Sequence, residues 1–311
     1  MVSFSDEWFA EAANLIKPNP PIRQIGKFVP TGAWFDGWET RRHNTEPADW
    51  VIIKLGVSSA KLVGCEVDTA FFNGNEAPAI AVEAAFVSDE TTLGKAQWTN
   101  VISKQPCGPS QRHFFLRSEI TQESYTHIRL KMFPDGGIAR FRMYGTPVPV
   151  FSEDLNTVFD LAHVSSGGVA IARSDQHFGS ADNILLPGRG KDMGDGWETA
   201  RSRTEGHTDW VIVKLGVQGY IEKIVVDTIH FLGNYPQSIE VHGLLLEAET
   251  VGPNDPRWKL IVGPTKMQPN IEHFYEGGSL SGKGQIFSHV KLTIIPDGGV
   301  KRLRVFGRRA V

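Results

Sequence analysis

Two cysteines, Cys65 and Cys107, are all that the 311 residues contain. That is too few for a disulfide framework, and a cytoplasmic protein is the simplest expectation. Long apolar runs are missing too. Stretches such as Val51–Ile53 and Leu244–Leu246 fall far short of the roughly 20 residues a membrane helix needs. The opening MVSFSDEWFAEAANLIK has no basic stretch followed by an apolar one, so no signal peptide is expected. Basic excess is absent: 32 Lys and Arg stand against 35 Asp and Glu, a formal charge of −3. That balance argues against a general nucleic-acid binder. There is no GxSxG elbow, no P-loop, no GxGxxG after a strand, no HExxH and no zinc-type cysteine–histidine cluster. An oxygen-ligand site for Ca²⁺ or Mn²⁺ has no diagnostic spacing either. Neither a metal nor a cofactor is expected.

What the chain does contain is an internal duplication. Asp36-Gly37-Trp38-Glu39-Thr40 recurs as Asp195-Gly196-Trp197-Glu198-Thr199, and Asp49-Trp50-Val51 as Asp209-Trp210-Val211. Gly74-Asn75 matches Gly233-Asn234, His113-Phe114 matches His273-Phe274, and Pro134-Asp135-Gly136-Gly137 matches Pro296-Asp297-Gly298-Gly299. The period is about 160 residues, far beyond that of a solenoid, so a whole domain is doubled. The boundary falls near Pro147-Val148-Pro149, giving domains 1–149 and 150–311. Ser5-Asp6 aligns with Ser174-Asp175. The second repeat therefore carries about 20 residues, roughly 154–173, without a counterpart in the first. Either the first repeat lacks an edge element or the chain begins late.

With 32 glycines and 18 prolines, turns should outnumber long helices. Trp50–Leu55, Ile80–Val87, His127–Phe133, Ile224–Asp227, Ile239–Leu246 and Val290–Ile295 are rich in β-branched and apolar residues and read as strands. Arg140–Tyr144 and Arg302–Phe306 alternate charged and apolar residues, as half-buried strands do. Asp6–Ile16 carries a helical stripe of Trp8, Phe9, Ala12 and Leu15, capped by Ser5. The expected class is all-β: two tandem jelly-roll β-sandwiches.

Several polar residues recur in both copies: Asp36/Asp195, Glu39/Glu198, Arg42/Arg201, Asn75/Asn234, Asp135/Asp297 and Arg140/Arg302. Glu39 and Arg42 lie three residues apart and suit a small polar substrate, since arginine grips carboxylates and a carboxyl moves protons. Plainer roles compete. Asp135 and Asp297 read as turn residues. Arg140 fits an ion pair as well as a ligand. Trp38 and Trp197 serve equally as loop anchors or substrate walls. Cys65 and Cys107 read as packing residues.

These motifs together resemble the allantoicase family. The residues that carry the resemblance are Gly32–Arg42 in the first repeat, with Gly206–Trp210 and Val226–Pro236 in the second. The resemblance implies galactose-binding-like jelly rolls and hydrolysis of allantoate to ureidoglycolate and urea in purine (allantoin) catabolism. On that basis Arg41 or Arg42 is expected to anchor the substrate carboxylate. Glu39 or Asp36 would act as acid and base, with Glu198 tested as a second such group. Asn75 would bond a ureido group, while Trp38, Arg140, Arg201, His230 and Asn234 complete the expected substrate contacts. The repeats differ: Phe71 stands for His230, and Ala200 for Arg41, so they need not be equally active. A small-molecule substrate, no nucleic acid, no membrane and a homo-oligomer are expected. The rival reading is a non-enzymatic tandem carbohydrate-binding protein.

Overall fold

A computed structural model describes residues 1–246 and 251–310. The chain forms two compact units, Met1–Val148 and Pro149–Val311. Each is an antiparallel jelly-roll sandwich, so the class is all-β as expected. The first unit contains β1 (Ser3–Phe4), β2 (Phe28–Val29), β3 (Gly32–Ala33), β4 (Trp38–Glu39), β5 (Asp49–Lys54) and β6 (Ala60–Asp68). It continues with β7 (Ala79–Ala85), β8 (Thr99–Pro106), β9 (Arg112–Leu116), β10 (His127–Phe133), β11 (Gly137–Ile138) and β12 (Arg140–Pro147). A five-stranded sheet, β1-β5-β10-β7-β8, faces a three-stranded one, β12-β6-β9. The short β4 and β11 pair at the rim.

Alternation explains these strands. On β10, Ile128, Leu130 and Met132 are almost wholly buried, while Arg129, Lys131 and Phe133 face outward. The core between the sheets adds Val51, Leu62, Val67, Ile80 and Val82.

The second unit repeats the plan with β13 (Phe159–Asp160), β14 (Val169–Arg173), β15 (Trp197–Glu198), β16 (Asp209–Asp227) and β17 (Ser238–Leu244). It ends with β18 (Lys259–Lys266), β19 (Glu272–Glu276), β20 (Ile286–Ile295), β21 (Gly299–Val300) and β22 (Arg302–Arg309). Here one 19-residue strand, β16, does the work of β5 and β6 together. Its first half pairs with β14 and β20, its second with β19 and β22.

Asp6–Ile16 is not an α-helix. Only Ala12–Ile16 makes a 3-10 turn. Ala10 bridges Glu39 instead, and the Asp6 carboxylate accepts the amides of Trp8 and Arg41. Ala12 and Leu15 are buried, but Trp8 is exposed. Local side-chain bonds and strand pairing outcompete the helical stripe.

Two features fix the rim where the duplicated motifs gather. Trp38 and Trp197 are fully buried, each indole N–H donating to a backbone carbonyl: Asp6 O at 2.7 Å and Asp175 O at 2.8 Å. Gly136 and Gly298 have φ of +143° and +135°. A Cβ there would lie 2.6 Å from Glu76 O or 2.7 Å from Asn234 O, so the Pro-Asp-Gly-Gly turn packs directly on the Gly-Asn loop. Trp38→Ala should destabilise the first unit by about 3–5 kcal/mol in denaturant melts. A loss below about 1 kcal/mol would show that the indole is not a core residue.

Candidate functional site

Glu39 is fixed from three sides. Its N–H donates to Ala10 O, its carbonyl accepts from Phe9 and Ala10, and β4 pairs with β11 through Glu39 and Gly137. The residue is 8% exposed, and Asn75 Nδ2 donates to Oε1 at 2.8 Å. Asn75 Oδ1 in turn accepts from Asn73 N at 3.0 Å. Burial pushes the Glu39 carboxyl up; the Asn75 bond and the Arg42 charge offset this only in part.

Arg42 joins the loops around that carboxyl. Nη1 donates to Asp135 Oδ1 at 3.0 Å and Nη2 to Gly74 O at 3.1 Å. The other Asp135 oxygen accepts from Asn44 N at 3.1 Å. Asp135 is thus a turn residue, as read from the sequence, and also an arginine anchor.

The second repeat rebuilds this set. Asn234 Nδ2 donates to Glu198 Oε1, Arg201 Nη1 to Asp297 Oδ1 at 2.8 Å, and Arg201 Nη2 to Gly233 O at 3.1 Å. Glu198, however, is only half-buried. His230 takes a left-handed turn conformation with φ of 69°, as Phe71 does at 70°. Its backbone N–H, not its ring, makes the hydrogen bond, to Asn270 Oδ1 at 2.9 Å.

Three expected site residues are placed elsewhere. Trp38 has no exposed surface, so it anchors a loop and cannot wall a substrate. Asp36 and Arg140 form a buried ion pair, Nη2 to Oδ2 at 2.5 Å, with side chains 6% and 4% exposed. Lys17 Nζ and Ile22 N add bonds of 3.0 and 3.1 Å to the same carboxylate. Although burial alone would raise it, these donors hold the Asp36 carboxyl below its ordinary value. Asp36 is therefore committed as an acceptor, not poised to give a proton. In the second repeat Asp195 is held by Arg302 and Lys301. Lys301 replaces Ala139 and does the job of Lys17; burial and the neighbouring Arg302 charge push its amine down to about 8.

Beside Arg42 opens a cleft of about 630 Å³ lined by Asp6, Arg41, Arg42, His43, Asp49, Trp50, Arg129 and Lys131. Arg41 is exposed and pairs with Asp6 at 2.8 Å. Arg129 and Lys131 both reach Glu83. These last two were missed as site candidates, although alternation along β10 already sets them on one face with Phe133. The matching positions in the second repeat include Ala200 and Thr293, so its cations are fewer. Among the described residues no group of three His, Cys, Asp or Glu side chains is placed to hold a metal ion.

The family described as "Allantoicase repeat" matches residues 1–148 and again 159–310. Allantoicase of Saccharomyces cerevisiae is 56% identical over 315 residues, 99% of this chain and 90% of that protein. A probable allantoicase of Pseudomonas aeruginosa is 43% identical over 316 residues, 99% of this chain and 92% of that protein. The crystal structure of the Saccharomyces cerevisiae allantoicase superposes with a TM-score of 0.78 at 53% identity, covering 98% of this chain and 89% of that one.

The buried carboxyl has a consequence for stability. Because its pKa is raised in the folded state, its contribution is full below the usual carboxylate range and is lost as pH rises through the raised value. Glu39→Gln keeps an acceptor for Asn75 and carries no charge. It should therefore raise Tm at about pH 7, with the gain shrinking toward about pH 4. A gain independent of pH would remove ionisation as its cause.

Proposed function

The chain belongs to the allantoicase family, and from that premise we propose that its hydrolysis of allantoate to ureidoglycolate and urea is carried by Glu39 of the first repeat, with Arg42 linking it to the cleft. The observation that supports this is a buried carboxyl with a raised pKa, bonded by Asn75 and within the field of Arg42, which itself lines the cationic cleft.

Allantoate carries a carboxylate and two ureido groups on one carbon. Arg41 and Arg42 line the cleft and anchor the carboxylate. Glu39, protonated, gives its proton to the nitrogen of the departing urea. The remaining ureido nitrogen pushes its lone pair toward the carbon and relieves the loss, giving an acyl-imine-like state. Water then adds to that carbon. The Glu39 carboxylate takes back the water proton, so the acid is restored and one water is consumed per urea. Asn75 positions Glu39, since both ends of its amide are bonded within the protein.

The second repeat keeps Glu198, Asn234 and Arg201 but has Ala200 for Arg41 and a more open carboxyl. We assign it a supporting role. The reading includes a cytoplasmic location, to which two free thiols are suited. It also includes a homo-oligomer acting on a small molecule, without nucleic acid or membrane. No helix among the described residues is long and apolar enough to cross a membrane.

Glu39→Gln should lower kcat for urea release at least about a hundredfold, whereas Glu198→Gln should lower it less than about tenfold. Near-parental turnover of Glu39→Gln would remove Glu39 from the reaction. Equal losses would give each repeat a working site.

A further inference from the structure

The loop that follows the Trp-Glu-Thr motif is clamped by the same aspartate in both repeats, but not over the same length. In the second, Asp297 Oδ1 takes Arg201 Nη1 and Oδ2 takes the Ser202 amide, each at 2.8 Å. The two gripped residues are consecutive. In the first, Asp135 grips Arg42 at 3.0 Å and the Asn44 amide at 3.1 Å, so one residue lies between them. Beyond the clamp the loops match again. Glu46 N donates to Asn44 Oδ1 at 2.9 Å, as Thr204 N does to Ser202 Oγ at 3.1 Å. Asn44 therefore stands where Ser202 stands, and His43 is an added residue of the first repeat.

Held on both sides by one carboxylate, His43 takes a left-handed φ of 62°. Glycine fits that conformation with least strain, so making the turn does not call for an imidazole. His43 is exposed and lines the cleft together with Arg41 and Arg42. Among the described residues its ring makes no hydrogen bond, ion pair or ring contact. Strained residues that no internal contact rewards concentrate at binding sites.

The cleft is otherwise rich in cations and in carboxylates already committed. Arg41 is joined to Asp6 and Arg42 to Asp135, while Asp49 accepts from Ser5 Oγ at 2.7 Å. Arginine and lysine side chains only donate. They suit a carboxylate, but a ureido arm also ends in an NH2 that needs an acceptor. An uncharged imidazole has one nitrogen that accepts and one that donates, which matches the NH2 and the carbonyl of such an arm. Asn75, expected to meet the ureido group, is instead taken up by Glu39 and the Asn73 amide. Glu46 lines the cleft too, but its charge has the sign of the substrate's own.

We propose that His43 recognises a ureido arm of the substrate by accepting a hydrogen bond from its terminal NH2. This rests on the reading that the cleft of the first repeat binds allantoate, and it adds what selects the substrate there. Arg41 and Arg42 hold the carboxylate, a feature of many small acids. His43 sets the preference for a ureido group over other acyl groups. The second repeat, without the added residue, lacks that preference.

The test is calorimetric binding of N-carbamoylglycine and N-acetylglycine to the full chain. Both carry a carboxylate and a carbonyl; the first ends in NH2 where the second ends in a methyl group. The parent protein should bind N-carbamoylglycine at least about fivefold more tightly, as one hydrogen bond allows. His43→Gly eases the backbone and should melt no lower than the parent. It should bind the two probes equally, with N-acetylglycine within about twofold of its parent affinity. Glu46→Gln should keep the preference. No preference in the parent, a preference that survives in His43→Gly, equal losses for both probes, or a preference lost in Glu46→Gln would overturn the proposal. Because binding needs no turnover, any of these results is separate from near-parental urea release by Glu39→Gln, which bears on the acid alone.

Discussion

The buried Asp36–Arg140 ion pair is the constraint on which the rest of the rim depends. It ties the segment before Trp38 to the start of the last strand, and Arg140 also bonds the Asp36 and Asn19 carbonyls. Removing one partner of such a pair leaves an uncompensated buried charge and costs about 3–5 kcal/mol. With that segment held, Trp38 points into the core and Glu39, the next residue on a two-residue strand, points the other way. The position of the carboxyl follows from that ion pair and that tryptophan, together with the backbone pairing of Glu39 to Ala10 and Gly137 and the bond from Asn75.

Duplication separates framework from chemistry within a single molecule. Both repeats keep the carboxylate with two cations, the buried tryptophan, the Glu–Asn bond and the Arg–Asp clamp. They reach the first differently: Lys17 from the loop after the 3-10 turn in one, Lys301 from the link between β21 and β22 in the other. A contact rebuilt from unrelated positions is required by the fold. By contrast, the burial of Glu39, the Arg41–Asp6 pair and the basic face of β10 belong to the first repeat. They are the features that a charged substrate would feel.

The strands were legible because alternation on β10 and β12 and the Pro-Asp-Gly-Gly turns are local signals. The Glu39–Asn75 pair was half legible: both residues recur, but nothing in the sequence shows the amide bonded to the carboxyl. Trp38, Asp36 and Arg140 were misplaced because their roles arise from contacts more than 30 residues apart along the chain. The stripe in Asp6–Ile16 misled because Asp6 and Ala10 are claimed by Arg41 and Glu39. Arg129 and Lys131 escaped notice because their counterparts, Lys291 and Thr293, differ, and repetition was the filter.

One working site per chain, anchored by Arg42, is most directly read from the binding of allantoate to the Glu39→Gln protein by calorimetry. One molecule should bind per chain, and the added change Arg42→Gln should abolish binding. Two molecules per chain, or binding undiminished by Arg42→Gln, would refute a single cationic cleft in the first repeat as the place of reaction.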